Sequence, residues 1–204
     1  MRKCLFIVVD GLDGSGKSKI VKMLYGYLSK SSGYKILATR EPTSGAYGRK
    51  IRQILRKEKN PKSNGKKMAE LFVKDRKWHL KNEIVPFLES GNAIVLCDRY
   101  YYSTIAFQAA QGINVDELIE KNKGFMKPGI AFILDVEPEI ALERIAYRQK
   151  EKFEKLDFMR KIRANFLEMP KLLDDNIRII NASKPLKYVF ESIKEEVDAL
   201  VKAS

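Results

Sequence analysis

Gly11, Gly16, Lys17 and Ser18 stand at the spacing G-x-x-x-x-G-K-S within Val8-Val9-Asp10-Gly11-Leu12-Asp13-Gly14-Ser15-Gly16-Lys17-Ser18. In that pattern backbone N–H groups and a helix N-terminus surround phosphate oxygens. The lysine neutralises charge and the serine hydroxyl reaches Mg²⁺. The expected ligand of the turn from Gly11 to Ser18, with Leu12, Asp13, Gly14 and Ser15 inside it, is a nucleoside triphosphate. Asp98 ends the apolar run Ala93 to Cys97, where a carboxylate can hold Mg²⁺ directly or through water. Arg99 follows it, and Arg40 ends another apolar run. Guanidinium groups there could grip a phosphoryl group with two parallel hydrogen bonds, although a salt bridge between loops is the plain alternative for each. The basic segment Arg144 to Glu154 fits a lid closing over phosphates as well as it fits a charged helix surface.

These residues need a frame that brings them together. Cys4 to Val9 is a short apolar, β-branched run entering a glycine turn, as a buried parallel strand would. Further strand candidates are Lys35–Thr39, Ala93–Cys97, Ile130–Leu134 and Ile177–Ile180, separated by helix-length segments. Helices are expected at about 17–31, 46–57, 66–90, 101–111, 115–123, 138–150, 155–170 and 185–201, with Pro86 bending the third. Alternating strands and helices predict an α/β sandwich of three layers, with a five-stranded parallel sheet flanked by helices and a short lid at about 144–156. Ligands collect outside the carboxyl ends of such strands, which here carry Arg40-Glu41-Pro42, Asp98-Arg99-Tyr100 and Asp135.

Composition narrows the classes. With 204 residues, 45% of them apolar, the chain can bury one substantial core, and residues 1–204 read as a single domain. No run suits a signal peptide or a membrane span, so a cytoplasmic protein is expected. Cys4 and Cys97 lie in strand-like runs and read as small buried thiols; His79 has no companion ligands at metal-binding spacing. The net charge of +13 would suit a nucleic-acid surface. Much of it, however, falls in mixed-sign segments such as Arg56-Lys57-Glu58-Lys59, and basic groups also speed the encounter with anionic nucleotides.

Asp13 in the phosphate loop, Thr39-Arg40-Glu41-Pro42, Leu71-Phe72 with Arg76, and Asp98-Arg99-Tyr100 followed by Ser103, Ala106, Phe107 and Gln108 together resemble the thymidylate kinase family. Leu134-Asp135-Val136, Pro138-Glu139, Ala141-Leu142 and Arg144 continue the resemblance from about residue 3 to about 185. It implies a P-loop nucleoside monophosphate kinase that moves the γ-phosphate of ATP to dTMP with Mg²⁺ held by Ser18 and Asp98, and a homodimer. The long third helix, with Met68, Leu71 and Trp78, would supply the interface or pack the core.

The same resemblance implies the residue roles. Phe72 stacks on thymine, and Arg76, at i+4 and so on the same helix face, donates to a base carbonyl. Asp13 accepts from the sugar 3′-hydroxyl, and Arg40 and Arg99 hold the acceptor phosphate. Ser103 and Thr104 meet the pyrimidine edge, and Phe107 presses on C2′ of the sugar. Four departures from the family pattern stand out. Asp10 replaces a longer glutamate, so its partner is expected across a water. Phe107 lacks the usual phenol hydroxyl. Gly14 occupies the position where some members carry an arginine, which moves the catalytic cation to the lid. The lid itself is shortened, leaving Arg148 and Lys152 as candidates beside Lys17, Asp98 and Arg99. Rival readings are a kinase for another deoxynucleotide or for a deoxynucleoside, and a P-loop ATPase stimulated by nucleic acid; nucleic acid is not an expected partner.

Overall fold

The computed structural model of the protein describes residues 4–31, 33–57, 64–145 and 152–202. Chain order is β1 (Leu5–Gly11), α1 (Lys17–Ser31), β2 (Lys35–Arg40), α2 (Ala46–Lys57), α3 (Gly65–His79), a π-helical turn (Leu80–Ile84), α4 (Val85–Glu89), β3 (Ala93–Asp98), α5 (Tyr101–Ala110) and α6 (Val115–Asn122). There follow β4 (Ile130–Asp135), α7 (Pro138–Ile145), α8 (Lys152–Leu172), β5 (Ile177–Asn181) and α9 (Leu186–Lys202).

The five strands form one parallel sheet in the order β2-β3-β1-β4-β5. Helices cover both faces, so the central strands are apolar on both sides. Ile7, Val8, Val9, Ile94, Val95, Leu96 and Phe132 have no exposed surface. The fold class therefore matches the expectation. The two edge strands are more open and carry Lys35, Arg40 and Arg178, charges that discourage edge-to-edge pairing. Among the described residues no helix is long and apolar enough to cross a membrane.

Register decides what meets at the top of the sheet. Val9 of β1 and Arg40 of β2 both pair with Asp98 of β3, while Gly11 pairs with Leu134 of β4. The connection after β1 leads to one side of the sheet and that after β3 to the other. The crevice between these neighbouring strands is the switch point at which parallel sheets bind ligands.

Three expectations are corrected. The predicted third helix is split: Val85 N–H reaches back five residues to Leu80 O, a π turn just before Pro86. The wider turn absorbs a residue that cannot donate, and the chain keeps its helical course. Helix α8 begins before 155 and continues through Pro170 to Leu172, because a proline in the last turn forfeits little of the hydrogen-bond ladder. Cys4 is exposed, lying just before β1, and its thiol donates to Leu88 O at 3.0 Å. Cys97 is buried within β3.

A polar network fixes α3 against the loop after β2. Arg76 has no exposed surface; its Nε and Nη2 both donate to Glu41 Oε2, at 3.0 and 2.7 Å. Nη2 also donates to Thr104 Oγ1 and Nη1 to Asn122 Oδ1, which ties in α5 and α6. His79 Nδ1 lies 3.3 Å from Glu41 Oε1, and its Nε2 lies 2.7 Å from Thr39 Oγ1. Asp75 accepts from both the N–H and the hydroxyl of Thr43 at 2.7 Å. Removing one partner of such a buried pair strands the other charge. Arg76→Ala is expected to lower unfolding free energy by about 3–5 kcal/mol. Urea denaturation measures this, and a loss below about 1 kcal/mol would mean that Glu41 finds another partner.

Candidate active site

The end of β1 becomes the phosphate loop because its glycines take backbone angles closed to other residues. Gly14 has φ +84°, and a Cβ there would stand 2.2 Å from Ala141 O of α7; one at Gly11, φ +136°, would meet Leu134 O at 2.6 Å. Lys17 is buried and its Nζ donates to Leu12 O at 2.6 Å. Burial, and then the nearby Arg99, lowers the Lys17 ammonium to about 8. The buried Ser15 hydroxyl has no hydrogen-bond partner among the described residues. A buried donor without an acceptor inside a glycine loop is what an incoming phosphate oxygen would satisfy.

Asp98 stands at the end of β3, where Ser18 Oγ donates to its Oδ2 at 2.5 Å. A hydroxyl and a carboxylate oxygen side by side, next to a phosphate cradle, form the donor set Mg²⁺ prefers, since that ion usually takes one or two carboxylates and fills its remaining positions with water and phosphate.

Asp10, in the strand before the loop, departs from expectation. It is fully buried, and its partners are direct: Oδ2 accepts from the N–H groups of Tyr100 and Ser103, each at 3.0 Å. Oδ1 accepts from Ser103 Oγ at 2.6 Å and from Gly11 N–H at 2.8 Å. No bridging water is needed, because β1 and the start of α5 approach closely enough for the shorter side chain. Burial pushes the Asp10 carboxyl above the usual range, opposed by Arg99 and by these hydrogen bonds.

Arg99 adopts φ +74°, a left-handed conformation that a non-glycine residue keeps only when its surroundings hold it. Its Nη2 donates to Asp13 Oδ1 at 2.6 Å and its Nη1 to Ser103 Oγ at 2.6 Å. The guanidinium also lies 5.4 Å from the Phe107 ring centroid. Asp13 itself is 68% exposed at the side chain, against 17% for Arg99.

Three cavities meet around these groups. One of about 670 Å³ is floored by the phosphate loop and walled by Arg40, Asp98, Arg99, Arg144 and the segment Ala182–Leu186. A second, of about 310 Å³ and mainly apolar, is lined by Leu55, Met68, Phe72, Tyr100, Phe107 and Phe158, with Glu41, Ser103, Gln108 and Gln111 as polar members. Asp13 and Arg99 line both. A third, a trough of about 860 Å³ beside β2, shares Ser18, Arg40 and Asp98 with the first.

The structure thus gathers Gly14 to Ser18, Asp13, Arg40, Asp98 and Arg99 at the phosphate-loop cavity, and Phe72, Ser103 and Phe107 at the apolar one. Thr104 is buried and accepts from Arg76. Arg76 is not among the cavity's lining residues; it lies behind Tyr100, 5.0 Å from that ring's centroid. Four of its five N–H groups are committed within the protein. One Nη1 hydrogen has no acceptor among the described residues. Met68 and Leu71 pack with Ile51 in their own chain, which leaves Trp78 as the exposed apolar residue of the three. Arg148 and the side chain of Lys152 lie outside the described residues, as does much of the expected lid.

Sequence reasoning missed the segment after β5 and the role of Arg144, whose Nη1 donates to Ala182 O at 2.9 Å beside the phosphate loop. It also gave Gln108 no task. Its side chain is 3% exposed, Nε2 donates to Gln111, and Oε1 is a buried acceptor without a donor among the described residues. A polar residue directly after Phe107, in the otherwise apolar second half of α5, was the available signal.

The thymidylate kinase family model matches residues 9–193. The probable thymidylate kinase of Archaeoglobus fulgidus is 40% identical over 199 residues, covering 97% of this chain and 96% of that protein. The thymidylate kinase of Desulfotalea psychrophila is 38% identical, with 96% and 95% covered, and that of Clostridium novyi 34% identical, with 95% and 98% covered. A match of this extent, on a parallel sheet with a phosphate loop at its switch point, shows that the chain belongs to the thymidylate kinase family.

Proposed function

We infer that the protein is a thymidylate kinase, transferring the γ-phosphate of ATP to dTMP to give dTDP and ADP. The observation that carries this reading is the Asp13–Arg99 pair, whose members line the phosphate-loop cavity and the apolar cavity alike. A donor and an acceptor bound one in each cavity meet at that pair. An acceptor phosphate oxygen attacks the γ-phosphorus, the bond to the β,γ-bridging oxygen breaks, and ADP departs with that electron pair. Both phosphates are already ionised, so the protein's task is to align them and to stabilise the transferring charge.

Lys17, the loop N–H groups and the Ser15 hydroxyl bind the triphosphate in this reading. Arg99 faces both the transferring group and the acceptor phosphate, with Arg40 beside it at the cavity rim. Ser18 and Asp98 would hold Mg²⁺, which supplies positive charge to the β- and γ-phosphates. Thymine would lie against Phe72 and offer its N3–H to Gln108 Oε1, while Arg76, buried behind Tyr100, would shape that wall without touching the base. Phe107 would lie along the sugar edge, and Asp13 would meet the 3′-hydroxyl. We assign the remaining cation to Arg148 or Lys152, in a lid at about 144–156, and treat residues 1–204 as one kinase domain.

The polyanionic substrates belong to the cytoplasmic nucleotide pool, where we place the enzyme. We also assign a homodimer. Exposed Trp78 on α3 supports an interface on that side, because the solvent face of α2, rich in arginine and lysine, would meet its own like charge in a second copy.

Three measurements test the reading. With Mg-ATP, ADP should form rapidly with dTMP and slowly with its ribose counterpart, dUMP, dCMP, dGMP or thymidine. Preference for another monophosphate would reject the base assignment while keeping the phosphate machinery, and stimulation by DNA alone would reject the kinase. Arg99→Ala should cut kcat by about 10²–10³-fold, as expected when a preorganised charge donor is lost. The third measurement uses pH. Bound phosphates favour the charged form of Lys17 and raise its pKa from about 8. ATP affinity should therefore be full below pH 8 and fall by up to about tenfold per unit as pH rises above it. Calorimetry near pH 8.5 should show proton uptake on binding; flat affinity from pH 7 to 9 would exclude Lys17 as the phosphate cation.

A further inference from the structure

Residues 49–67 hold nine of the chain's 39 basic residues and one of its 26 acidic ones, a surplus of eight out of a net +13. Helix α2 carries five of the nine. It contains Arg49, Lys50, Arg52, Arg56 and Lys57 and no carboxylate. At about 100° per residue, Arg49, Arg52, Gln53 and Arg56 fall on one side, opposite buried Ile51. Like charges at i, i+3 and i+4 repel one another, and Arg49 and Lys50 also sit near the positive end of the helix dipole, so this arrangement costs the helix stability. Arg49 Nη1 donates to Ser44 O, and Arg52 donates to the carbonyls of Pro42 and Thr43. These contacts hold two guanidinium groups in place without neutralising them.

Arg49, Arg52, Gln53, Arg56 and Lys57 line a groove of about 490 Å³. The groove adjoins the active site through α2 itself. Leu55 of the same helix lines the apolar cavity, and Arg52 borders the trough that also contains Arg40 and Asp98. We propose that the α2 groove is a peripheral anion site that captures phosphate-bearing nucleotides and delivers the acceptor to the apolar cavity. Its ligand class is the phosphate monoester dianion, held weakly by screened charge rather than by a closed pocket. This rests on the reading of the apolar cavity as the dTMP site. A cationic rim beside a cleft raises the local concentration of anions and the rate of encounter, and the gain fades as salt shortens the range of the field.

The test is the association rate of dTMP, followed by stopped-flow fluorescence at ionic strengths from about 10 to 300 mM. The full chain is compared with the variant Arg49→Gln/Arg56→Gln/Lys57→Gln, since glutamine keeps helix propensity. A control variant, Lys30→Gln/Lys171→Gln/Lys202→Gln, removes equal charge near the C-terminal ends of α1, α8 and α9, which run back toward the opposite end of the sheet. The α2 variant should associate about tenfold more slowly at low salt, with a flatter salt dependence, and converge on wild type at high salt. The control should be slowed less than the α2 variant at the lowest salt and stay within about twofold of wild type near 100 mM, where the Debye length is about 10 Å. Inorganic phosphate should slow wild-type association more than that of the α2 variant. Equal slowing in both triple variants would mean that net charge acts without a site, and an α2 variant matching wild type would overturn the capture site alone. A wild-type protein that takes up no dTMP would instead overturn the acceptor reading on which the site rests.

Discussion

The Asp10 carboxylate is the constraint on which the site depends. It belongs to β1, yet it takes the N–H groups of Tyr100 and Ser103 and the Ser103 hydroxyl from the chain after β3. That contact fastens the start of α5 to the strand that ends in the phosphate loop. Arg99 lies between the two anchored points. Its left-handed backbone is held on one side by Asp98 in the sheet and on the other by Tyr100 and Ser103. One buried acid thus fixes the phosphate loop and the Arg99 guanidinium relative to each other, and a carboxylate with four donors in a dry interior costs less than an unpaired one.

A second buried acid plays the same part for the neighbouring wall. Glu41 draws Arg76 and His79 of α3 onto the end of β2, and Arg76 carries the tie onward to Thr104 of α5 and Asn122 of α6. The apolar cavity is enclosed by elements that this network clamps together. Phe72 therefore faces a cavity whose shape is set partly by charges it never touches. Rigid walls suit a reaction whose barrier falls through alignment, because little reorganisation is then left for the moment of transfer.

Charge is distributed with the same division between holding and attracting. Cations inside the fold, Arg76 and Arg99, have carboxylate partners at short range. The α2 cations face solvent, two of them anchored to carbonyls, so their field reaches outward. The central strands β1 and β3 carry charge only near their carboxyl ends, in Asp10 and Asp98, and otherwise serve as an apolar platform on which the two sets are displayed.

The sequence by itself determined the strands, the helices and the phosphate loop. Short β-branched runs, helix-length spacers and the fixed glycine spacing are local features, and local sterics decide them. Arg40, Asp98 and Arg99 were legible for the same reason: each stands at or just after the carboxyl end of a strand, where parallel sheets present side chains to ligands. Only the tertiary structure decided who touches whom. Asp10 reaches residues about ninety positions away, Arg76 turns out to be locked behind the cavity, and Gln108 keeps an acceptor without a donor, because each outcome depends on distances between elements remote in sequence. The exposure of Cys4 and the π turn before Pro86 have the same origin at smaller scale. A one-residue strand boundary and a single wider turn leave the hydrophobic pattern almost unchanged while altering burial and direction, so pattern alone could not separate them.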